Sequence, residues 1–121
     1  MKKPEAFLAT RVSNHLLSKY PNIPFNFSIG ADVKLPIHVA KSLHQLHGKW
    51  SRGFVDLVIC TCRGGYGGLY LELKATDGVQ NTEHTRRQAQ YHAVLRHNGY
   101  KVMFVCGFKE CKKAIKEYIK Q

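Results

Sequence analysis

The chain has 121 residues, the size of one domain that can bury a core without disulfides or structural metals as supports. It has 19 lysines and arginines but only 8 aspartates and glutamates, so its formal net charge is +11. This balance favours a polyanionic partner, and the lack of a long apolar run excludes a transmembrane helix.

The beginning of the chain and its cysteines indicate a cellular compartment. The start Met1-Lys2-Lys3-Pro4-Glu5 is polar with no long apolar run behind it, so we expect no signal peptide and a cytoplasmic protein without membrane contact. The cysteines lie in or beside apolar segments rather than in a metal-ligand array, so we expect reduced, mostly buried thiols. Residues 1–121 are predicted to form a single domain.

A helix is predicted over residues 4–19. Pro4 suits the first helical position, and Leu8 and Val12 continue an apolar stripe that ends before Pro21. Glu5 begins this stripe, which would point its carboxylate toward the interior. Equally, Glu5 fits a first-turn acid that is favoured by the helix dipole.

A strand and a second helix follow. Residues 24–29 alternate between apolar and polar side chains, which is typical of a half-buried strand that Gly30 ends. Residues 36–47 carry Val39, Leu43 and Leu46 at helical spacing and stop at Gly48, so we expect a short amphipathic helix.

The segment from Lys49 to Gly53 places two cations, Lys49 and Arg52, around Trp50. These residues could hold phosphate while the indole stacks on a base. Alternatively, Trp50 is an anchor in the core or in an interface.

Two alternating segments, Phe54–Cys60 and Gly68–Ala75, are separated by a glycine-rich run and predict an antiparallel hairpin. The residue numbers of facing partners then have a constant sum. Asp56 faces Glu72 if that sum is 128, and it faces Lys74 if the sum is 130. Both choices centre the turn within the glycine run.

In either register one face of the hairpin is polar, because side chains two positions apart leave a strand on the same side. Asp56, Glu72 and Lys74 share that face, and the opposite face is apolar, formed by Val55, Leu57, Ile59, Leu69, Leu71 and Leu73. Two carboxylates suit Mg²⁺, which binds oxygen ligands together with substrate phosphate, and a neighbouring ammonium suits phosphodiester hydrolysis. Solvated charges on an exposed sheet face are the alternative.

Thr85 begins a sequence that matches a capping box, and the helix it opens should run to Gly99. Gln88, Leu95 and either Tyr91 or His92 would share one face of this helix. Arg86 and Arg87 would lie in its first turn, where cations and free amide groups favour an anion.

A buried strand over residues 100–106 and an amphipathic helix from Phe108 complete the chain. The predicted order is therefore α-β-α-β-β-α-β-α, an α/β fold with a mixed sheet flanked by helices.

Taken together, these motifs resemble the VRR-NUC branch of the PD-(D/E)xK nucleases over nearly the whole chain. The resemblance rests on a helical Glu, Gly-x-x-Asp, Glu-Leu-Lys after a glycine-rich turn, a helical Gln with an aromatic residue three positions later, and Gly-Tyr. These correspond to Glu5, Gly53, Asp56, Glu72, Lys74, Gln88, Tyr91, Gly99 and Tyr100. Val55 stands where the family usually has proline, and valine suits a strand.

The resemblance implies a restriction-endonuclease-like fold and a nuclease that depends on Mg²⁺ or Mn²⁺. Asp56 and Glu72 would bind the metal, with the Leu73 carbonyl as a further ligand. Lys74 would position or deprotonate the attacking water, while Glu5 and Gln88 complete the catalytic set. Lys49, Arg52, Arg86 and Arg87 are the candidate DNA-binding residues.

The leading hypothesis is a structure-selective DNA endonuclease that resolves four-way Holliday junctions as a homodimer. Stand-alone domains of this size resemble phage and bacterial resolvases. A nicking, flap-processing or exonucleolytic repair enzyme is the alternative, and a DNA-binding protein with an inactive nuclease fold is a further one.

Overall fold

The computed structural model describes residues 3–28, 36–51, 53–75 and 78–121. The described elements follow the predicted order α-β-α-β-β-α-β-α, with one short 3₁₀ helix added before the hairpin. They are α1 Lys3–Lys19, β1 Phe25–Phe27, α2 Ile37–His47, the 3₁₀ helix Gly48–Ser51, β2 Leu57–Ile59, β3 Leu69–Lys74, α3 Glu83–His97, β4 Lys101–Cys106 and α4 Gly107–Ile119.

The sheet has four strands in the spatial order β1-β2-β3-β4. The pairs β1–β2 and β2–β3 are antiparallel, whereas β3 and β4 are parallel, with α3 as the connection between them. The predicted mixed sheet is therefore confirmed. The first strand is shorter than predicted, and Ile29 and Gly30, at its expected end, lie outside the described residues.

The β2–β3 ribbon adopts the register that aligns Asp56 with Glu72. Leu57 pairs with Leu71 and Ile59 with Leu69, so facing residue numbers add up to 128 within the strands. At the turn, however, Arg63 pairs with Tyr66, a sum of 129. The expectation of one constant sum is therefore wrong, because the upstream arm holds one extra residue between the turn and the sheet, as in a β-bulge.

A two-residue turn closes this ribbon. Gly64 and Gly65 have φ angles of +57° and +85°, which is the backbone of a type I′ hairpin turn. Arg63 and Tyr66 exchange two backbone hydrogen bonds across it, of 3.2 and 2.9 Å. Gly64 and Gly65 are thus required by turn geometry, since residues with a Cβ rarely adopt positive φ.

The hydrophobic core lies between the apolar face of the ribbon and two helices, α1 and α4. The predicted face assignment is confirmed, because every apolar residue expected there has no solvent exposure. Both helices contribute regularly spaced apolar side chains. The core contains Leu8, Val12, Leu16, Leu57, Ile59, Leu69, Leu71, Leu73, Val105, Cys111, Ala114, Ile115 and Tyr118.

Two expectations about burial are wrong. The helix α2 begins and ends close to the predicted bounds, yet it buries no residue, and Leu46 is 77% exposed. All four cysteines are free, but only Cys111 is buried, while Cys60 and Cys62 are exposed. Both cysteines lie on the hairpin arm between the end of β2 and the turn.

Candidate active site

The polar face of the ribbon buries two carboxyl groups. Asp56 is 9% exposed and Glu72 is 3% exposed. The Leu73 N–H donates a hydrogen bond of 2.9 Å to Asp56 Oδ2, at the point where the β2–β3 ladder ends. The Asp56 carbonyl accepts a bond of 2.8 Å from the Ser28 N–H, so the aspartate is fixed through both its backbone and its side chain.

This pair of carboxyl groups is costly when both are ionised. The pKa of Asp56 is raised to about 8, mostly by burial and in smaller part by a hydrogen bond with the Glu72 carboxyl and by the charge of that group. The Leu73 N–H and the Lys74 ammonium lower the pKa of Asp56 without cancelling these effects. A proton is therefore retained between the two carboxyl groups near neutral pH unless another cation replaces it.

Lys74 is held beside the carboxyl pair by a residue from α3. Its Nζ donates a hydrogen bond of 3.1 Å to Gln88 Oε1, and Gln88 is 4% exposed. The Lys74 Nζ also lies 5.8 Å from the centre of the Phe104 ring on β4. The hairpin and the following helix thus bring Asp56, Glu72, Lys74 and Gln88 together.

His92 is a residue of this site that sequence reasoning did not single out. It follows Gln88 by one helical turn and is fully buried, with Nε2 3.7 Å from Glu72 Oε1. Burial lowers the pKa of His92 to about 4, with smaller contributions from Arg96 and Lys74 in the same direction. The four-residue spacing was the available signal, but Tyr91, three residues after Gln88, fitted the same face.

The helix α3 begins three residues earlier than predicted. Its N-cap is Thr82 rather than Thr85, and the Thr82 hydroxyl accepts a bond of 3.1 Å from the Thr85 N–H. The predicted position of Arg86 and Arg87 in the first turn is therefore wrong. Arg86 donates to Asn81 Oδ1 at 3.3 Å, and Arg87 lies 3.6 Å from Glu83, so the anion site at the helix end is not formed as expected.

The segment before the hairpin carries exposed basic and aromatic groups. Trp50 is 40% exposed, which makes the interpretation of this residue as part of the core wrong. The Lys49 Nζ lies 4.9 Å above the Trp50 ring. Arg52, the second predicted cation here, lies outside the described residues.

Glu5 belongs to a different layer of the molecule. It lies half-buried in the first turn of α1, the helix that packs on the apolar face of the ribbon. The carboxyl pair lies on the other face of that ribbon. A shared role with Asp56 and Glu72 therefore stays a prediction.

The donor set suits a hard divalent cation. Asp56 and Glu72 offer oxygen atoms at a place where buried negative charge is incompletely compensated, as the raised pKa of Asp56 indicates. Within residues 3–28, 36–51, 53–75 and 78–121, no three His, Cys, Asp or Glu side chains group as a cation cage. Two carboxylates with water and substrate phosphate are the usual Mg²⁺ environment, so these residues fit Mg²⁺ or Mn²⁺. A ligand role for the Leu73 carbonyl stays a prediction.

The fold has a counterpart among solved structures. The chain is similar to a structure described as a VRR_NUC domain protein, with a TM-score of 0.72, 23% sequence identity, and coverage of 99% of this chain and 91% of that one. No family model and no curated protein sequence matches the chain. The VRR-NUC resemblance and the restriction-endonuclease-like α/β architecture are thus confirmed at the level of the fold. None of the helices described is both long and apolar enough to cross a bilayer.

Proposed function

We propose that this chain, with the fold of a VRR-NUC domain, is a DNA endonuclease that hydrolyses phosphodiester bonds with Mg²⁺ or Mn²⁺. The observation that carries the proposal is the buried Asp56–Glu72 pair beside an ammonium that Gln88 holds in place. Buried like charges are unfavourable for folding, so a site that contains them is a strong candidate for function.

Asp56 and Glu72 would hold the cation against the phosphate of the bond to be cut. When bound, the cation supplies positive charge to the phosphate oxygens and lowers the pKa of water. Asp56 is positioned for this by the Leu73 N–H, which donates a hydrogen bond to Oδ2. With a cation bound, its charge would neutralise the two carboxylates in place of the shared proton.

Lys74 would act on the attacking water and on the phosphate. Its ammonium, oriented by Gln88, can donate hydrogen bonds to a water and to a non-bridging oxygen, where negative charge develops. In hydrolysis the attacking water loses one proton as its oxygen forms a bond to phosphorus, the bridging P–O bond breaks, and the departing oxygen takes up one proton. This role needs the lysine to be fixed, and the Gln88 amide provides the constraint.

A branched substrate and a homodimer complete the proposal. A net charge of +11 supports attachment to several phosphate backbones without reading of sequence. Symmetrical cutting of a four-way junction needs two active sites related by a two-fold axis. We expect pairing through α2, because Ile37 and Leu46 expose 72% and 77% of their surface there. Light scattering should then report a dimer, and Leu46→Glu should convert it to a monomer.

The decisive experiment measures cleavage of a labelled four-way junction, a flap, a nicked duplex and a linear duplex in Mg²⁺, Mn²⁺ and Ca²⁺. We expect Mg²⁺ and Mn²⁺ to support cleavage, with the junction cut fastest. Lys74→Ala should lower the rate by about 10²- to 10³-fold, because a charged donor to the transition state is lost. Lys109→Ala, which removes an exposed lysine from α4, is the matched control and should cut normally.

The alternatives give different results in the same experiment. Equal rates on all four substrates would exclude a junction resolvase, and a preference for the flap or the nicked duplex would indicate a repair nuclease. Tight DNA binding without cleavage in either metal would identify an inactive nuclease fold. Normal cleavage by Lys74→Ala would remove this site from the mechanism.

A further inference from the structure

Five aromatic rings form an unbroken series beside the carboxyl pair. The ring centres are separated by 4.9 Å from Trp50 to Tyr91, 5.5 Å from Tyr91 to Phe54, 5.9 Å from Phe54 to Tyr70 and 4.5 Å from Tyr70 to Tyr100. We call these residues the aromatic ladder. Trp50 is 40% exposed and Phe54 is 36% exposed, so this end of the ladder faces solvent.

The ladder is tied to the candidate site through the chain itself. Phe54 precedes Asp56 by two residues, and Tyr70 precedes Glu72 by two residues on the same face of β3. Tyr91 follows Gln88 by nearly one turn of α3. A nucleic acid strand with its phosphate at the carboxyl pair would therefore have its adjoining bases at the height of the rings.

The surroundings of the ladder select a negatively charged, base-bearing occupant over an apolar protein segment. The Lys49 Nζ lies 4.9 Å from the centre of the Trp50 ring, and the whole chain is strongly basic. Burial and Tyr100 raise the pKa of Tyr70 to about 12, and burial raises the pKa of Tyr91, so neither phenol adds negative charge near neutral pH. Rings beside cations are the arrangement by which proteins bind unpaired bases without reading their sequence.

Gly53, between Trp50 and Phe54 in the sequence, lies against α3. Its φ is +85°, a backbone conformation that favours glycine. A Cβ at this position would lie 3.4 Å from the Arg87 carbonyl oxygen, which is van der Waals contact with the backbone of α3. The backbone next to Phe54 therefore packs directly on the helix that carries Tyr91.

We propose that the aromatic ladder stacks unpaired bases of the DNA strand that adjoins the scissile phosphate. This inference rests on the proposed nuclease function and narrows its substrate to DNA with unpaired or easily unstacked bases next to the cut. Such bases occur at branch points and flaps, whereas they are absent from continuous duplex.

Trp50 is the single tryptophan of the chain, so intrinsic fluorescence reports on this position alone. The test is a titration in Ca²⁺ with a thymidine 12-mer, and with a 12-mer of the same charge in which every base is replaced by an abasic site. We expect the thymidine strand to quench Trp50 fluorescence and to bind about fivefold to tenfold more tightly than the abasic strand. Equal affinity and equal quenching by the two strands would overturn the proposal.

Three variants separate stacking from packing, with binding measured by fluorescence anisotropy of labelled DNA. Trp50→Ala should weaken thymidine binding by about fivefold, and Trp50→Phe should restore most of the affinity. Phe7→Ala removes an aromatic residue that is 68% exposed on α1 and should bind normally. Wild-type affinity in a folded Trp50→Ala protein would also overturn the proposal that the aromatic ladder stacks bases.

The proposal of base stacking and the proposal of nuclease activity can be contradicted separately, because binding is measured without turnover. Cleavage of a junction with no preference for bases over abasic sites would reject the ladder alone. Base-dependent binding by a protein that does not cut DNA in Mg²⁺ or Mn²⁺ would reject the nuclease alone.

Discussion

The two faces of β3 are both buried, but burial has opposite energetic consequences for them. On one face Leu69, Leu71 and Leu73 have no exposed surface and gain about 25 cal/mol for each Å² of apolar surface removed from water. On the other face Glu72 is 3% exposed, and with Asp56 it forms a pair whose ionisation burial opposes. One strand thus contributes to both the core and the candidate site.

The leucines on one face stabilise the fold, whereas the buried carboxyl groups on the other face destabilise it. The leucines need only α1 and α4 above them, and any apolar group of similar volume would serve. The carboxyl pair gains nothing from burial, and the Leu73 N–H and Lys74 compensate it only in part. Mutations on the two faces should therefore affect different measurements.

The largest effect is expected from Asp56→Asn. This change keeps the size and the acceptor for the Leu73 N–H but removes the charge that would hold a cation, so cleavage in Mg²⁺ should fall by at least about 10³-fold. Thermal unfolding in EDTA at pH 8 should show a variant at least as stable as the wild type, since a strained charge is gone. A variant that cuts at the wild-type rate, or that unfolds at a much lower temperature, would contradict the assignment of catalysis to the polar face and of stability to the apolar face.

A mutation on the apolar face should have the reverse outcome. Leu69→Ala removes a fully buried side chain and leaves a cavity, so the free energy of unfolding should fall by about 2–5 kcal/mol. Denaturant titration measures this loss. Below its melting temperature the variant should cut DNA at close to the wild-type rate per folded molecule. A large loss of turnover without loss of stability would show that the two faces are not separable.

The smallest effect is a pH dependence of stability without metal. Asp56 has a pKa of about 8 when folded and 3.8 when unfolded, so the folded state binds more protons and stability declines as pH rises through this window. For His92 the pKa falls from 6.5 to about 4 on folding, which makes stability decline as pH falls below 6.5. Between pH 6.5 and 8 the Asp56 contribution remains, at up to about 1.4 kcal/mol for each pH unit.

Melting curves in EDTA from pH 6 to 8.5 test this slope. Asp56→Asn should flatten it, and Mg²⁺ should raise the melting temperature most at the alkaline end, where the carboxyl pair is least protonated. A wild-type slope that the Asn variant retains would assign the pH dependence to other groups.

Alternation in the sequence was sufficient to predict the ribbon and the division of its side chains between two faces. A period of two is a local property, and each of the two candidate registers gave the same division. The choice between them, with Asp56 aligned to Glu72, depends on pairing in the sheet, which the glycine run alone left open. Pro4 at the start of α1, and Pro36 and Gly48 at the two ends of α2, likewise predicted helix bounds.

Other features depended on tertiary partners that a local pattern does not contain. The helices α2 and α4 have similar apolar spacing, yet only α4 meets the sheet and buries Cys111, Ile115 and Tyr118. Thr82 and Thr85 both suit an N-cap, and the cap is Thr82 in the structure. The choice between Tyr91 and His92 was left open for the same kind of reason, since only the position of α3 over β3 shows that His92 meets Glu72.

The extra residue in the upstream arm of the hairpin determines which residue of β3 lies opposite Asp56. If the pairing of Arg63 with Tyr66 continued without interruption, Ile59 would meet Tyr70 and Asp56 would meet Leu73, among the leucines. One additional residue between Cys60 and Arg63 shifts the count by one and returns the aspartate to the side of Glu72. Adding or removing one residue between the turn and β2 would therefore change which residue of β3 lies opposite Asp56, and the two carboxylates would no longer be aligned.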